Sequence, residues 1–416
     1  MVRDSHVLGI DFGTSNSAAG FLHNGEPRLI EMAPGQNTLP TTFFFDFETR
    51  QTLIGEPANQ ALLAGAEGRF MRALKRVLGT SLMREKRQLF NERVSFVEII
   101  GRFLGEIKAR AEAETGHSFE RVLSGRPVVF HGTDDPRESQ AETDLRDCYL
   151  AAGFKDVNFM AEPEAAAIAS GALDHSGEIG LIVDIGGGTS DFSVFRASPE
   201  GVTILANHGV RIGGTDFDHQ ISFEHVMPLL GKGTQLRDVI GTGCKPAPNA
   251  IFNDLATWEK IPFLYTAQNR NMVAGMLQQS QEPQKFGRLE ATLRDELGHE
   301  IAFGVEQGKI AANSGDDGSS IPLGVIEKGL SAALSGQSLA DSLNPYGAAL
   351  RIGAQDTLRL AGLETGQIDR VIYVGGSSLM SVVSDTMTLE FPKARHTFAE
   401  VFTAVTDGLA RAAARL

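Results

Sequence analysis

Asp11-Phe12-Gly13-Thr14-Ser15 and Asp184-Ile185-Gly186-Gly187-Gly188-Thr189-Ser190-Asp191 each follow an apolar run, Val7 to Ile10 and Leu181 to Val183. Each reads as a buried strand that ends in a carboxylate, breaks into a small-residue turn and starts a second strand. The plan continues beyond the turn. Ala18 to His23 and Glu26 to Glu31 flank Asn24-Gly25, a pair suited to a two-residue type I′ hairpin. Asp191 to Phe195 and Val202 to Ala206 flank Ser198-Pro199-Glu200-Gly201 in the same way. Glycines let successive backbone N–H groups approach an anion, and Thr14, Ser15, Thr189 and Ser190 add hydroxyl donors. One copy alone reads as a hairpin with a glycine-rich corner; two in register point to a polyphosphate gripped from two sides. Asp11 and Asp184 would repel such a ligand unless a hard cation lay between, and Mg²⁺ with retained waters meets that need.

Three further motifs follow in order. They are Ala161-Glu162-Pro163-Glu164-Ala165-Ala166-Ala167, Val210-Arg211-Ile212-Gly213-Gly214-Thr215-Asp216, and Tyr373-Val374-Gly375-Gly376-Ser377-Ser378. With all five, the chain resembles the nucleotide-binding domain of Hsp70 chaperones, of the actin-like ATPase superfamily. Its loop order and Met227-Pro228-Leu229-Leu230-Gly231 are most similar to stand-alone YegD-type proteins. The resemblance implies an α/β, ribonuclease H-like fold with a nucleotide cleft between duplicated lobes. Lobe I is expected over 1–175 with an insertion at about 41–120, and lobe II over 176–394 with an insertion at about 221–321. Residues 395–416 are expected to return to lobe I, with Val401 to Leu416 as a final helix. An Hsp70 continues into a client-binding sandwich, so a chain ending at Arg415-Leu416 is expected to lack an extended-peptide groove.

The same resemblance implies site residues. Lys75, in Arg72-Ala73-Leu74-Lys75-Arg76-Val77-Leu78-Gly79, aligns with a lysine that touches the γ-phosphate and the attacking water. On local pattern alone a solvated basic face with Arg69, Arg72, Arg76 and Arg84 serves equally well. Glu162, held at a strand-to-helix corner by Pro163, would orient water or metal-bound water; it also suits a first helical turn. Thr189 would position the nucleophilic water, completing a catalytic set of Lys75, Glu162 and Thr189. Asp11, Asp184 and Asp191 would surround the metal, and Asp11 with Asp191 would suit K⁺ as well. Gly13, Thr14, Ser15, Gly186, Gly187, Gly188 and Thr189 would hold phosphates, with Gly213, Gly214, Gly375, Gly376 and Ser377 lining the rest of the ATP or ADP site. Glu306 and Lys309 match ribose contacts; Asn313 replaces a base-reading serine. Ile310 and Leu379 stand where the family has stacking arginines. The base site is altered.

Composition narrows the class. The 416 residues carry a net charge of −14, which disfavours a sequence-independent grip on nucleic acid. No apolar run of ~18 residues is present to span a membrane, and Met1 to Ser5 is too polar to open a secretory signal. Cys148 and Cys244 read as free thiols of a reducing, cytoplasmic compartment. Gly231-Lys232 lacks the rest of a P-loop. His208, His219 and His225 have no zinc-like spacing; Trp258 and Phe43-Phe44-Phe45 read as core or sheet, and Gly241 to Ala250 as a loop. Three functions stay open: a chaperone-like ATPase acting on a protein partner through its lobes, a small-molecule kinase of the same superfamily, and a nucleotide-dependent scaffold or filament protein.

Overall fold

The two apolar runs become the central strands of two sheets built to one plan. The computed structural model describes residues 6–131, 135–199, 201–238, 242–316, 318–399, 403–414 and 416. In the first sheet Val7–Phe12 pairs in parallel with Arg121–Arg126, which pairs in parallel with Asp156–Ala161. On its other side it runs antiparallel to Asn16–His23, which turns back into Glu26–Leu29. In the second sheet Ile179–Ile185 pairs in parallel with Arg370–Val374, followed by Arg395–Phe398, and antiparallel with Ser190–Ser198, followed by Gly201–Val210. Both sheets therefore join a three-stranded antiparallel meander to two parallel strands. The repeat legible in the turns is a repeat of whole sheets. Asn24 at φ 53 and Gly25 at φ 86 form the type I′ turn that their sequence favours. Glu200, in the matching turn, lies outside the described residues.

A shared core holds the sheets together. Val7 and Leu123 from the first, Ile182 and Ile372 from the second, and Ala165 to Ile168, Val405 and Leu409 from two helices form one buried cluster. The helices are Glu162–Ala169 and Ala404–Ala413. Their alanine-rich contact allows close approach, and a Cβ at Gly408 would overlap the Ala165 carbonyl. The last helix starts later than expected; Val401 and Phe402 lie outside the described residues. A second core on the far face of the first sheet takes in Phe43, Phe45, Phe103, Leu145 and Tyr149. Helix Phe96–Thr115 supplies much of it, entered through a Ser95–Glu98 capping box and left at Gly116 with φ 71.

Two compact units result. The first is Met1–Arg211 with Arg351–Leu379 and Met387–Leu416; the second is Ile212–Leu350 with Met380–Thr386. This division follows packing: the shared core keeps both sheets in the first unit, while the range expected as the lobe II insertion, about 221–321, falls within the second. The Phe43-Phe44-Phe45 run is fully buried in strand Thr42–Asp46, which lies between Thr52–Ile54 and Gly68–Arg72. Cys244–Pro246, within a stretch read as loop, pairs with Gln235–Arg237 as a short ribbon. Both cysteines are free thiols, Cys148 buried and Cys244 exposed. Among the described residues no helix is long and apolar enough to cross a membrane.

Candidate functional site

Register places the acidic residues. Asp11 is the penultimate residue of Val7–Phe12, and Asp184 holds the same place in Ile179–Ile185. Asp184 lies directly across the hairpin from Asp191 and, on its other side, opposite Val374. The strand Arg370–Val374 must therefore turn away at once. Gly375 does so at φ +83, and a Cβ there would lie 2.6 Å from the Ile185 carbonyl and 2.7 Å from Asp184 Oδ1. That close approach, with its left-handed backbone, explains the first glycine of the Gly375-Gly376 motif.

The two small-residue turns face each other inside the first unit. Gly186 N donates to Thr189 O at 3.0 Å, closing the second turn. A Cβ built on Gly187 would lie 3.1 Å from Ser15 Oγ, which belongs to the first turn. At Gly188 the same space is taken by the Arg76 guanidinium. Arg76 belongs to the basic face that serves as the alternative reading of Lys75; the structure puts it against the glycine turn. Its only sequence signal is adjacency to Lys75, because the space opened by a missing side chain at Gly188 is a tertiary fact.

Lys75 stands on the short 3₁₀ segment Leu74–Val77. Glu162, the first residue of helix Glu162–Ala169, follows directly from strand Asp156–Ala161, with Pro163 fixing the corner. The Lys75 Nζ to Glu162 Oε1 distance is 2.6 Å, with both side chains largely buried. Burial alone would push the ammonium down; Glu162, then Asp11 and Asp184, more than reverse this and raise it above the ordinary lysine value. Burial, reinforced by the charge of Glu162, pushes Asp11 up to about 7 against the pull of Lys75. Asp184 is raised well above the carboxylate range by burial and by Glu162, Asp191 and Asp11. Asp191 rises to about 6 through burial and Glu162, although the Thr189 hydroxyl hydrogen-bonds to it and lowers it. Four carboxylates thus act on one another around a single lysine, in a desolvated setting.

This arrangement suits a cation that keeps its water. Among the described residues no three His, Cys, Asp or Glu side chains converge closely enough to ligate a metal directly. Mg²⁺, which keeps waters and takes few carboxylates, matches desolvated aspartates that sense each other's charge without sharing one ligand point. The raised Asp11, Asp184 and Asp191 are groups whose charge the protein alone leaves undercompensated.

Other expected site residues are distributed through both units. Ser377 belongs to the 3₁₀ turn Gly376–Leu379, where Ser378 Oγ donates to Gly375 O at 2.6 Å. Leu379 is 45% exposed. Within the second unit, Gly213 N donates to Asp216 Oδ2 at 2.8 Å, opening helix Gly214–Ile221. Glu306, Lys309 and Asn313 lie on helix Gly298–Asn313. Lys309 is buried and its ammonium pairs with Asp218 at 2.7 Å, a commitment that the sequence did not signal. Asn313 Oδ1 accepts from Ser381 N at 2.8 Å, while Ile310 is 56% exposed.

Comparison with known proteins agrees with this architecture. Residues 7–238 match the family described as Hsp70 protein. "Chaperone protein DnaK" of Thermoplasma volcanium is 34% identical over 225 residues, which cover 52% of this chain and 35% of that protein. "Chaperone protein DnaK" of Thermoplasma acidophilum is 34% identical over 224 residues, covering 52% and 34%. The matched region thus spans about a third of the length of these curated relatives. The duplicated sheets, the facing turns and a match over more than half of the chain lead to one conclusion: this chain belongs to the Hsp70 protein family, with an α/β architecture consistent with the actin-like fold.

Proposed function

We propose that the chain binds ATP with Mg²⁺ and hydrolyses it slowly to ADP and phosphate, and that nucleotide state sets the form of a surface used by a protein partner. One observation carries this reading: Ser15 and Gly187 bring the two turns face to face, beside the buried Lys75–Glu162 pair and the aspartates that surround it. Backbone N–H groups and hydroxyls of the turns, through Gly13, Thr14, Ser15 and 187–189, would take phosphate oxygens, with Gly186 closing the second turn. Asp11, Asp184 and Asp191 would hold Mg²⁺ through its waters; bound there, the ion offsets charge on the phosphoryl oxygens. Lys75, kept protonated by its neighbours, supplies a fixed positive charge where negative charge develops. Glu162 holds that ammonium and can accept from a water, while Thr189 orients Asp191 by the hydroxyl bond between them. K⁺ fits the oxygen-rich setting of Asp11 and Asp191.

The test is incubation of the purified chain with ATP and Mg²⁺, with and without a metabolite pool. Phosphate released at the same rate in both is the expected result. A phosphorylated metabolite would replace this reading with a kinase. Binding without either product would leave a nucleotide-dependent scaffold.

A further inference from the structure

We propose that Asp144, outside the phosphate site, is the residue that positions Lys75 for catalysis. This rests on the reading of Lys75 given above. Lys75 and Arg76 ride on a four-residue 3₁₀ turn, too short to hold itself. The turn is entered through Ala73 at φ 58 and left through Gly79 at φ +79. A non-glycine residue in the left-handed region is costly, so the surroundings must impose it. Arg76 N donates to Ala73 O at 3.0 Å, but Leu78 N reaches Lys75 O only at 3.4 Å.

Helix Arg137–Ala151 supplies the missing restraint. Asp144, at its centre, is 0% exposed, and its Oδ2 accepts from Gly79 N at 2.8 Å. The other oxygen accepts from Gln140 Nε2 at 2.8 Å and from Arg84, which also pairs with Asp147 at 2.9 Å. One residue before Gly79, the Leu78 carbonyl meets His131 Nε2 at 2.7 Å. A Cβ on Gly79 would come 2.6 Å from the Arg137 carbonyl, so the loop lies directly against the start of the helix. An apolar side chain would fill a core position with less desolvation cost than a carboxylate. What the carboxylate adds is a fixed acceptor for one loop amide.

The same helix governs the partner of Lys75. Tyr149, farther along it, shares a 2.8 Å hydrogen bond with Ser124 on strand Arg121–Arg126, and both are buried. After the helix the chain enters strand Asp156–Ala161, whose end delivers Glu162. One element therefore fixes both ends of the Lys75–Glu162 pair: Glu162 through chain connection, and the lysine loop through Asp144.

Three variants and two readouts test the assignment. In Asp144→Ala, kcat for Mg·ATP should fall by about ten-fold or more, because small misplacements of catalytic groups are costly. KM should change by less than about three-fold, as the phosphate turns are untouched. Asp144→Asn can keep an acceptor oxygen on Gly79 only with its amide NH2 facing the Gln140 and Arg84 donors, so its activity should lie between the alanine variant and wild type. Amide hydrogen exchange over residues 74–80 should quicken in Asp144→Ala, with little change in strands Ile179–Ile185 and Arg370–Val374. Should the alanine variant not fold, Asp144→Ser, too short to reach the Gly79 amide, is read by the same criteria. Lowered thermal stability with kcat and local exchange like wild type would reduce Asp144 to a core residue and overturn the proposal. If the wild type itself hydrolyses nothing, the proposed function fails; unchanged loop exchange in Asp144→Ala would then refute the positioning role separately, and quickened exchange would sustain Asp144 as the residue that holds the Lys75 loop.

Discussion

Folding removes Asp11, Asp184 and Asp191 from water beside one lysine, a setting in which each aspartate holds its proton more tightly than in the unfolded chain. The sign of the consequence follows. Asp11 rises from 3.8 to about 7 and Asp191 from 3.8 to about 6, so the folded state binds more protons than the unfolded one between about pH 4 and 7. Their contribution to stability is present below the unfolded value and is lost as pH rises through the folded values. In chelator, these residues should make the fold less stable toward pH 8. Mg²⁺ should offset that loss, so the melting-temperature gain on adding it should grow from pH 5 to pH 8 and shrink in Asp11→Asn. An equal gain at both pH values would show that these aspartates do not receive the cation. Turnover gives an independent check: Lys75→Ala and Thr189→Ala should each lower hydrolysis by about 10²-fold while nucleotide binding persists. Phosphate release like wild type in both would remove their catalytic assignment. At this scale the acidic and hydroxyl residues were legible because strand, carboxylate and glycine turn are contiguous in sequence. Arg76 and Asp144 were not legible, since one depends on the space left by Gly188 and the other on an acceptor 65 positions from its donor.

The elements that carry the site are tied by contacts of two kinds, and each predicts a different cost. Helices Glu162–Ala169 and Ala404–Ala413 meet through alanines, with Gly408 against Ala165. Gly408→Ala adds one methyl where backbone already stands and should destabilise by ~1–3 kcal/mol, read from urea unfolding with an unchanged slope. A cost near zero would mean that the helices part without penalty. Strand Arg370–Val374 is held by a buried charge: Arg370, 1% exposed, meets Glu178 at 2.9 Å and donates to Ser170 O at 2.9 Å. Glu178→Ala leaves that guanidinium poorly paired and should cost ~3–5 kcal/mol, whereas a loss under ~1 kcal/mol would show that water replaces the carboxylate. The strands and hairpins were readable because apolar runs and turn residues are local signals. The ribbon Cys244–Pro246 escaped because its partner, Gln235–Arg237, lies across a stretch without strand patterning. The bounds of the first unit escaped for a related reason: its shared core joins residues far apart in sequence, and no composition change marks where it stops.

For the whole molecule, the unequal state of the phosphate and base residues decides how nucleotides should rank. The two glycine turns, Lys75, Glu162 and the aspartates, the phosphate and metal residues of the proposed function, lie within one unit. Ile310 and Leu379, both exposed, stand where the family resemblance puts two stacking arginines, and Lys309 is occupied by Asp218. Each missing arginine–base contact is worth ~0.5–2 kcal/mol, and two of them correspond to roughly ten- to thousand-fold in affinity. Packing of the two aliphatic side chains on the base would recover part of this. Affinity should therefore fall steeply from ATP to AMP and on Mg²⁺ removal, yet change little from ATP to GTP. By the same linkage, ATP and ADP with Mg²⁺ should raise the melting temperature, and GTP should raise it nearly as far at equal concentration. Calorimetric titration with ATP, GTP, ADP and AMP measures the ranking directly. Nanomolar ATP binding with GTP more than a hundred-fold weaker would mean that other residues have rebuilt the base pocket, and that Ile310, Asn313 and Leu379 do not face the base, while the phosphate site stood.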